Sequence, residues 1–72
     1  MFKNLIVDLR KTRGLSQYEL AVKLNVSQSA VAKWELGKTE PTASAIVSLA
    51  KFFNVTADYL LGLEDDLGNK KY

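Results

Sequence analysis

The stretch SQYELAVKLNVSQSAVAKWELG, residues 16–37, decides how this chain folds. It contains two signals for the start of a helix. Ser16 can accept a hydrogen bond at the beginning of one helix, and Glu19, three residues later, completes a capping box. Ser27 can cap a second helix, and Gly37 supplies the left-handed residue that commonly ends one. The stretch therefore predicts two short helices joined by a tight turn.

The connection between these two helices is short. Asn25 and Val26 lie in it and leave about three residues of non-helical chain, where Asn tolerates a positive φ. Ala21 lies where the helices would cross, and a methyl group is the largest side chain that a close crossing easily admits. Val31 and Trp34, one turn apart, form a narrow apolar stripe on the second helix. Trp34 is therefore predicted to be a core residue rather than a side chain that stacks on bases.

The opposite face of the second helix carries Gln28, Ser29, Ala32 and Lys33. Short polar groups near a helix N-terminus, with a lysine one turn later, are suited to reading base edges in a major groove. Gln28 can pair with adenine N6 and N7, and Ser29 can bond to several base edges. Lys33 can reach guanine O6 and N7, or remain solvated at the edge of the groove. We therefore predict DNA base contacts by Gln28, Ser29 and Lys33.

The chain resembles the Cro/C1-type (XRE) helix-turn-helix family of phage and bacterial repressors. The resemblance spans about residues 2–62 and is carried by the segments SQxELA, VSQSxVxxWExGKxxP and FNVTxDYLLG. One departure is Asn25, where many members carry Gly, and Asn also adopts the left-handed conformation. The resemblance implies an all-α fold, a five-helix lambda-repressor-like DNA-binding domain. The matching positions are Gln17, Leu20, Ala21, Asn25, Val26, Ser27, Gln28, Val31, Trp34, Glu35, Gly37 and Pro41.

Apolar residues recur at helical spacing along most of the chain. This periodicity, together with the capping signals, predicts helices over about residues 2–13, 17–24, 28–36, 43–53 and 57–61. Residues 1–62 are expected to form one domain, with the helix-turn-helix at about 17–36. Residues 63–72 have no sustained period and are expected to form a flexible C-terminal tail.

The resemblance also implies an ion pair between Arg10 and Glu35 that locks the first helix to the third. Two unrelated surface charges are the alternative, and an exposed pair would contribute only about 0–1 kcal/mol. The two interpretations differ in whether these side chains are buried together.

We call the helix face that carries Gln28, Ser29 and Lys33 the reading face. Contacts to the DNA backbone and to a second subunit are expected around it. The predicted phosphate contacts lie at the two helix starts and in the following loop: Gln17, Ser27, Lys38 and Thr39. Dimers of this kind place their helices in successive grooves about 34–36 Å apart, so we expect a homodimer on a palindromic operator. The candidate dimer contacts are Phe52, Tyr59 and Leu63, although each of them, taken alone, is more typical of a core or rim residue than of a subunit contact.

Composition argues against several other classes of protein. The 72 residues are 47% hydrophobic and 25% charged, and no apolar run exceeds three residues, which predicts neither a membrane span nor a signal peptide. The chain has no Cys and no His, which fits the reducing cytoplasm and leaves only carboxylates as metal ligands. The cluster of Glu64, Asp65 and Asp66 lacks the spacing of a calcium loop. We therefore expect no metal, no cofactor, no small-molecule ligand and no enzyme activity.

The net charge of +2 is unevenly distributed. Residues 1–40 carry seven Lys and Arg against four acidic residues, whereas residues 41–72 carry three against four. The basic bias of the first part is consistent with a surface that faces phosphates.

These features predict a sequence-specific double-stranded DNA-binding transcriptional regulator, a repressor of phage or bacterial origin. One alternative is a protein-interaction module, antitoxin-like or coactivator-like, that binds a partner through the fourth and fifth helices. A second alternative is the DNA-binding domain of a larger repressor. Selection of bound duplexes would distinguish the first alternative from the leading prediction.

Overall fold

The computed structural model describes residues 2–61, which form five α-helices and no strand. This confirms the all-α prediction. None of the described helices is long and apolar enough to cross a bilayer. The helices are α1 (Phe2–Thr12), α2 (Gln17–Leu24), α3 (Gln28–Leu36), α4 (Ala43–Phe53) and α5 (Ala57–Leu60).

Four hydroxyl side chains set where the last four helices begin. At each N-cap, the side-chain oxygen accepts a hydrogen bond from the backbone N–H three residues later, which satisfies a group that the helix itself cannot. At Ser16 the capping box is complete, because Glu19 also accepts a 2.8 Å bond from the Ser16 backbone N–H. The N-cap residues are Ser16, Ser27, Thr42 and Thr56.

Left-handed residues end α2, α3 and α4. Asn25, Gly37 and Asn54 have φ values of 58°, 74° and 57°. The Asn25 conformation is the one expected of the residue in the tight turn, so the chain reverses there without glycine.

Two helix ends differ from the prediction by one residue. The first helix was expected to reach Arg13 but ends at Thr12, and the fifth was expected to reach Leu61 but ends at Leu60. In both places the next N–H still bonds within the last turn, as Arg13 N does to Arg10 O at 3.1 Å. After α1 the chain turns at Gly14, whose φ is 68°, and the Leu15 backbone N–H donates to Arg10 O at 3.1 Å, so this glycine ends the helical path two residues after Thr12.

One core joins all five helices. The five largest fully buried side chains come one from each helix: Ile6, Leu20, Val31, Leu49 and Leu60. Trp34, only 5% exposed, belongs to this core, which confirms the structural interpretation of that residue. Ala21 is also buried, and α2 packs closely on α3. Since burying a side chain of this size contributes about 1.5–3 kcal/mol, the core holds α3 firmly against α1 and α2.

Candidate nucleic-acid interface

The outer face of α3 is open to solvent along its length. Gln28, Ser29 and Lys33 are exposed, Ala32 is half-buried, and the buried residues of this helix lie on the other side. The Ser27 cap orders the first turn, where Gln28 and Ser29 lie. The structure thus brings the three predicted base-contacting residues together on one exposed face of a well-anchored helix.

Leu36 lies on this face as well. It follows Lys33 by three residues and Ala32 by four, a spacing that places side chains on the same side of a helix. Its side chain is 64% exposed. Leu36 was predicted only as the last residue of the helix, although its spacing from Ala32 and Lys33 also indicates its orientation.

Three of the predicted phosphate contacts lie at the two ends of α3. The Ser27 hydroxyl oxygen accepts a 3.0 Å bond from Ala30 N, and its own O–H is left to donate. Lys38 and Thr39 follow the left-handed Gly37 and are exposed. The Lys38 backbone N–H donates to Lys33 O at 2.9 Å, which ties the start of this loop to the end of α3.

The structure contains the Arg10–Glu35 ion pair. Arg10 Nε donates to Glu35 Oε2 at 2.7 Å, and a terminal nitrogen of Arg10 donates to Glu35 Oε1 at 3.0 Å. The other terminal nitrogen donates to the backbone oxygen of Leu15 at 2.8 Å. The side chains are only 12% and 7% exposed, so this is a largely buried bidentate pair and not two separate surface charges. It joins α1, the loop after α1, and the last turn of α3.

Gln17 joins the same network, which the sequence analysis did not anticipate. Its Nε2 donates to Glu35 Oε1 at 2.9 Å, and its side chain is half-buried at the first position of α2. In the free protein its carboxamide is therefore engaged by a carboxylate and does not simply extend into solvent. An amide nitrogen carries two hydrogens, so one N–H remains for a phosphate.

The network favours charged forms of both ionisable partners. Burial raises the pKa of Glu35, but the hydrogen bonds from Arg10 and Gln17, with the charge of Arg10, outweigh it and hold that pKa below its ordinary value. The hydrogen bond to Glu35 raises the pKa of Arg10. Both groups are therefore ionised throughout the neutral pH range.

Two of the three candidate dimer contacts, Phe52 and Tyr59, lie in the described part of the chain. Phe52 is half-buried, with its ring edge-on to Phe53 at 5.0 Å and the Arg13 guanidinium 5.5 Å from its centroid. Tyr59 is also half-buried, and Leu63 lies outside the described residues. Phe52 thus has a role within the subunit that the sequence did not reveal, because Arg13 and Phe52 are far apart along the chain.

Two other apolar side chains near the same elements are much more exposed. Val47 on α4 is 49% exposed, and Leu61, directly after α5, is 56% exposed. Val47 lies outside the set of buried residues of α4, which includes Ile46, Leu49 and Phe53, and Leu61 lies beyond the end of α5.

Among residues 2–61 no group of three or more His, Cys, Asp or Glu side chains is placed to hold a metal ion. The acidic cluster at residues 64–66 lies outside the described part of the chain. Among the described residues, the α3 face with its flanks is the strongest candidate for a binding surface.

Comparison with known proteins agrees with this geometry. A family profile described as helix-turn-helix matches residues 6–60. The chain is 41% identical over 64 residues to the HTH-type transcriptional activator BcrR of Enterococcus faecalis, covering 89% of this chain and 31% of that protein. It is 42% identical over 52 residues to the 26 kDa repressor protein of Escherichia phage HK022, covering 72% and 22%.

A solved structure of similar fold is the P22 c2 repressor in complex with a synthetic operator. It aligns with a TM-score of 0.79 at 30% identity, covering 83% of this chain and 91% of that one. The present chain spans about half the length of several other curated relatives that it matches.

Proposed function

Because the chain belongs to the Cro/C1-type helix-turn-helix family of DNA-binding transcription regulators, we propose that it binds a specific double-stranded DNA operator as a homodimer and represses transcription. This action takes place in the cytoplasm and requires no cofactor, small-molecule ligand or catalytic step. The observation that carries the proposal is the exposed outer face of α3, with Gln28, Ser29 and Lys33 on a helix anchored by a cap and a core.

Base recognition is assigned to this face. Gln28, in the first turn, presents an amide that can bond simultaneously to N6 and N7 of adenine. Ser29 adds a short donor and acceptor beside it. Lys33, one turn later, brings a positive charge to guanine O6 and N7. Since the N-terminal residues of a recognition helix lie deepest in the groove, Gln28 and Ser29 carry most of the selectivity.

Phosphate contacts are assigned to the flanks of the same face. Lys38 and Thr39 follow α3, where the DNA backbone passes as the helix leaves the groove. The Ser27 hydroxyl can donate to a phosphate while its oxygen still caps α3. Gln17 can donate its second amide hydrogen while Glu35 holds the first. These groups set the register of the protein on the duplex and are insensitive to its sequence.

A homodimer follows from the number of base pairs that one helix can reach. One recognition helix contacts too few to select an operator, whereas two subunits read half-sites about 34–36 Å apart. We assign the subunit contacts to α5 and its flanks, with Tyr59 and Leu63 as the first candidates. Phe52 is a further candidate, and its ring also packs on Phe53 and beneath Arg13.

The chain can equally serve as the DNA-binding domain of a larger regulator. It spans only 31% of BcrR and 22% of the HK022 repressor, so the remaining parts of those proteins lie outside the similarity. The proposed interaction of α3 with DNA is the same in both arrangements.

The decisive experiment is selection of bound duplexes from a random library at defined salt. We expect a palindromic consensus with half-sites one helical turn apart, and sedimentation of two subunits with one full site. A library without enrichment would instead favour a protein-interaction module, and a single subunit on a full site would exclude the dimer.

Two matched variants distinguish residues that contact base edges from residues that contact only phosphates. Replacing Gln28 by Ala should weaken binding to the selected operator by about 1–3 kcal/mol and relax preference at one base pair. Replacing Lys38 by Ala should weaken binding to all duplexes equally and lower the slope of log K against log salt by about one unit. If both variants lost the same affinity on every sequence, α3 would not be the reading helix.

A further inference from the structure

Leu36 is a large apolar side chain that is exposed to solvent on the outer face of α3. It is the last residue of α3 and is 64% exposed. At 3.6 residues per turn, its direction lies between those of Ala32 and Ser29 and roughly opposite to the buried pair Val31 and Trp34. Leu36 is therefore central to the reading face and distant from the core.

An exposed leucine alone would need no explanation, since apolar atoms cover much of any protein surface. Tyr18, Val22, Val47 and Leu61 are also exposed. Leu36 differs from these because it is the one large apolar side chain on the described outer face of α3, among Gln28, Ser29, Ala32 and Lys33.

In a major groove, an aliphatic side chain has one specific apolar partner on the base edges, the 5-methyl group of thymine. On the basis of the proposed function, we infer that Leu36 packs against a thymine 5-methyl group and selects a T·A pair at one position of each half-site. Cytosine occupies the same place without a methyl group, so this contact favours T over C.

The length of α3 places that position within the half-site. Leu36 follows Gln28 by eight residues, which at 1.5 Å per residue is about 12 Å along the helix axis. Because α3 leaves the groove at this end, about 12 Å is the largest separation along the groove, and with about 3.4 Å between base pairs the thymine lies within about four pairs of the base that Gln28 reads. It is expected beyond the pair that Lys33 faces.

The test uses the selected operator with each thymine of the half-site replaced in turn by deoxyuridine. This change removes only the methyl group. At one position of the half-site, we expect the wild-type protein to bind the deoxyuridine duplex about fourfold more weakly than the thymine duplex. A factor of about four corresponds to the free energy of burying one methyl-sized group. Leu36→Ala should bind the thymine operator about fourfold more weakly than the wild type does and should not respond to deoxyuridine. Leu36→Met, which restores a flexible aliphatic chain, should recover the response.

The matched control is Val47→Ala, which shortens an exposed aliphatic residue on α4. It should bind like the wild type, and both variants should keep the wild-type melting temperature because neither side chain is in the core. Equal losses in Val47→Ala and Leu36→Ala would overturn the inference.

Two results separate this inference from the proposed function. In the first, the protein selects an operator, but deoxyuridine changes the affinity of the wild type and of Leu36→Ala alike at every position. This result would overturn only the methyl contact and would assign Leu36 to sugar or backbone atoms. Failure of the wild-type protein to select any duplex would overturn the proposed function and the thymine contact together.

Discussion

Replacing Glu35 by Gln is the sharpest test of how α3 is held in place. The Glu35 carboxylate accepts two hydrogen bonds from Arg10, at 2.7 and 3.0 Å, and one from Gln17 at 2.9 Å. Gln has nearly the same shape and retains one acceptor oxygen, but it loses the charge and turns an N–H group towards a donor. The substitution therefore removes interactions between three helices without creating a cavity.

The expected loss of stability lies between two limits. An exposed ion pair contributes about 0–1 kcal/mol, and breaking a fully buried one costs about 3–5 kcal/mol. Glu35 is 7% exposed and Arg10 is 12% exposed, so we expect about 2 kcal/mol. For a domain of this size, about 2 kcal/mol lowers Tm by roughly 8–16 °C.

Thermal and urea unfolding of Glu35→Gln measure this loss, with Glu40→Gln as the control. Glu40 is an exposed loop residue, so the same chemical change should leave its Tm nearly unchanged. If Glu35→Gln and Glu40→Gln melted within about 1 °C of each other, the network would not stabilise the fold, and its role in holding α3 would be refuted.

The stability difference between wild type and Glu35→Gln should also depend on pH. The pKa of Glu35 is held below its ordinary value of 4.5 in the folded protein, so the folded state binds the Glu35 proton less tightly than the unfolded state. The contribution is therefore fully present above about pH 4.5 and is lost as the pH falls through the folded pKa. The pKa of Glu19 is also lowered, by its bond from the Ser16 backbone, but this affects both proteins equally. A difference that stayed constant from pH 7 to pH 3 would contradict the assignment.

Three further substitutions test single contacts. Ser27→Ala should lose the helix cap and about 1 kcal/mol of stability. Ser27→Asp should keep the cap but bind DNA more weakly, because its carboxylate repels phosphate. Equal DNA affinity for Ser27→Asp and the wild type would show that Ser27 does not contact DNA. Asn25→Ala should cost about 1–2 kcal/mol in urea unfolding because φ is 58°, and Asn25→Gly should stay within about 0.5 kcal/mol; equal effects would show that the left-handed conformation is not the cause. A double-mutant cycle of Arg13→Ala and Phe52→Leu should give a coupling of about 0.5–1 kcal/mol from the stacked guanidinium, and additive losses would exclude that contact.

The sequence predicted α2, α3 and α4 to the residue, and the reason is local. Each begins at a hydroxyl cap and ends at a residue suited to positive φ, so both boundaries are encoded by side chains within the element. The ends of α1 and α5 were each predicted one residue too long. After α1 the left-handed residue is Gly14, two positions beyond Thr12, so it limits the helix without fixing its last residue. After α5, Leu61 keeps a right-handed φ of −82° and its N–H bonds to Ala57 O, so no change of backbone conformation marks the end there.

The exposed outer face of α3 was predictable for the same local reason, because helical spacing alone separates Gln28 and Lys33 from the buried Val31. The partner of Gln17 was not predictable in this way. Its amide can reach solvent, a phosphate or a carboxylate, and only the fold brings Glu35, 18 residues away, within 2.9 Å. The stacking of Arg13 on Phe52 likewise depends on how the end of α1 meets the end of α4.

The residues that hold α3 and the residues that we propose to read DNA form separate sets. Gln28, Ser29, Lys33 and Leu36 are exposed, so alanine at these positions removes no core contact and retains good helix propensity. We therefore expect a variant with alanine at all four positions to unfold within about 1 kcal/mol of the wild type, since exposed substitutions rarely change stability much. The same variant should bind the selected operator no better than random duplexes, and its remaining affinity should keep a salt dependence from the phosphate contacts at Lys38 and its neighbours. Urea unfolding and competition binding measure the two properties independently. A large loss of stability would mean that the outer face of α3 contributes to the fold as well as to recognition.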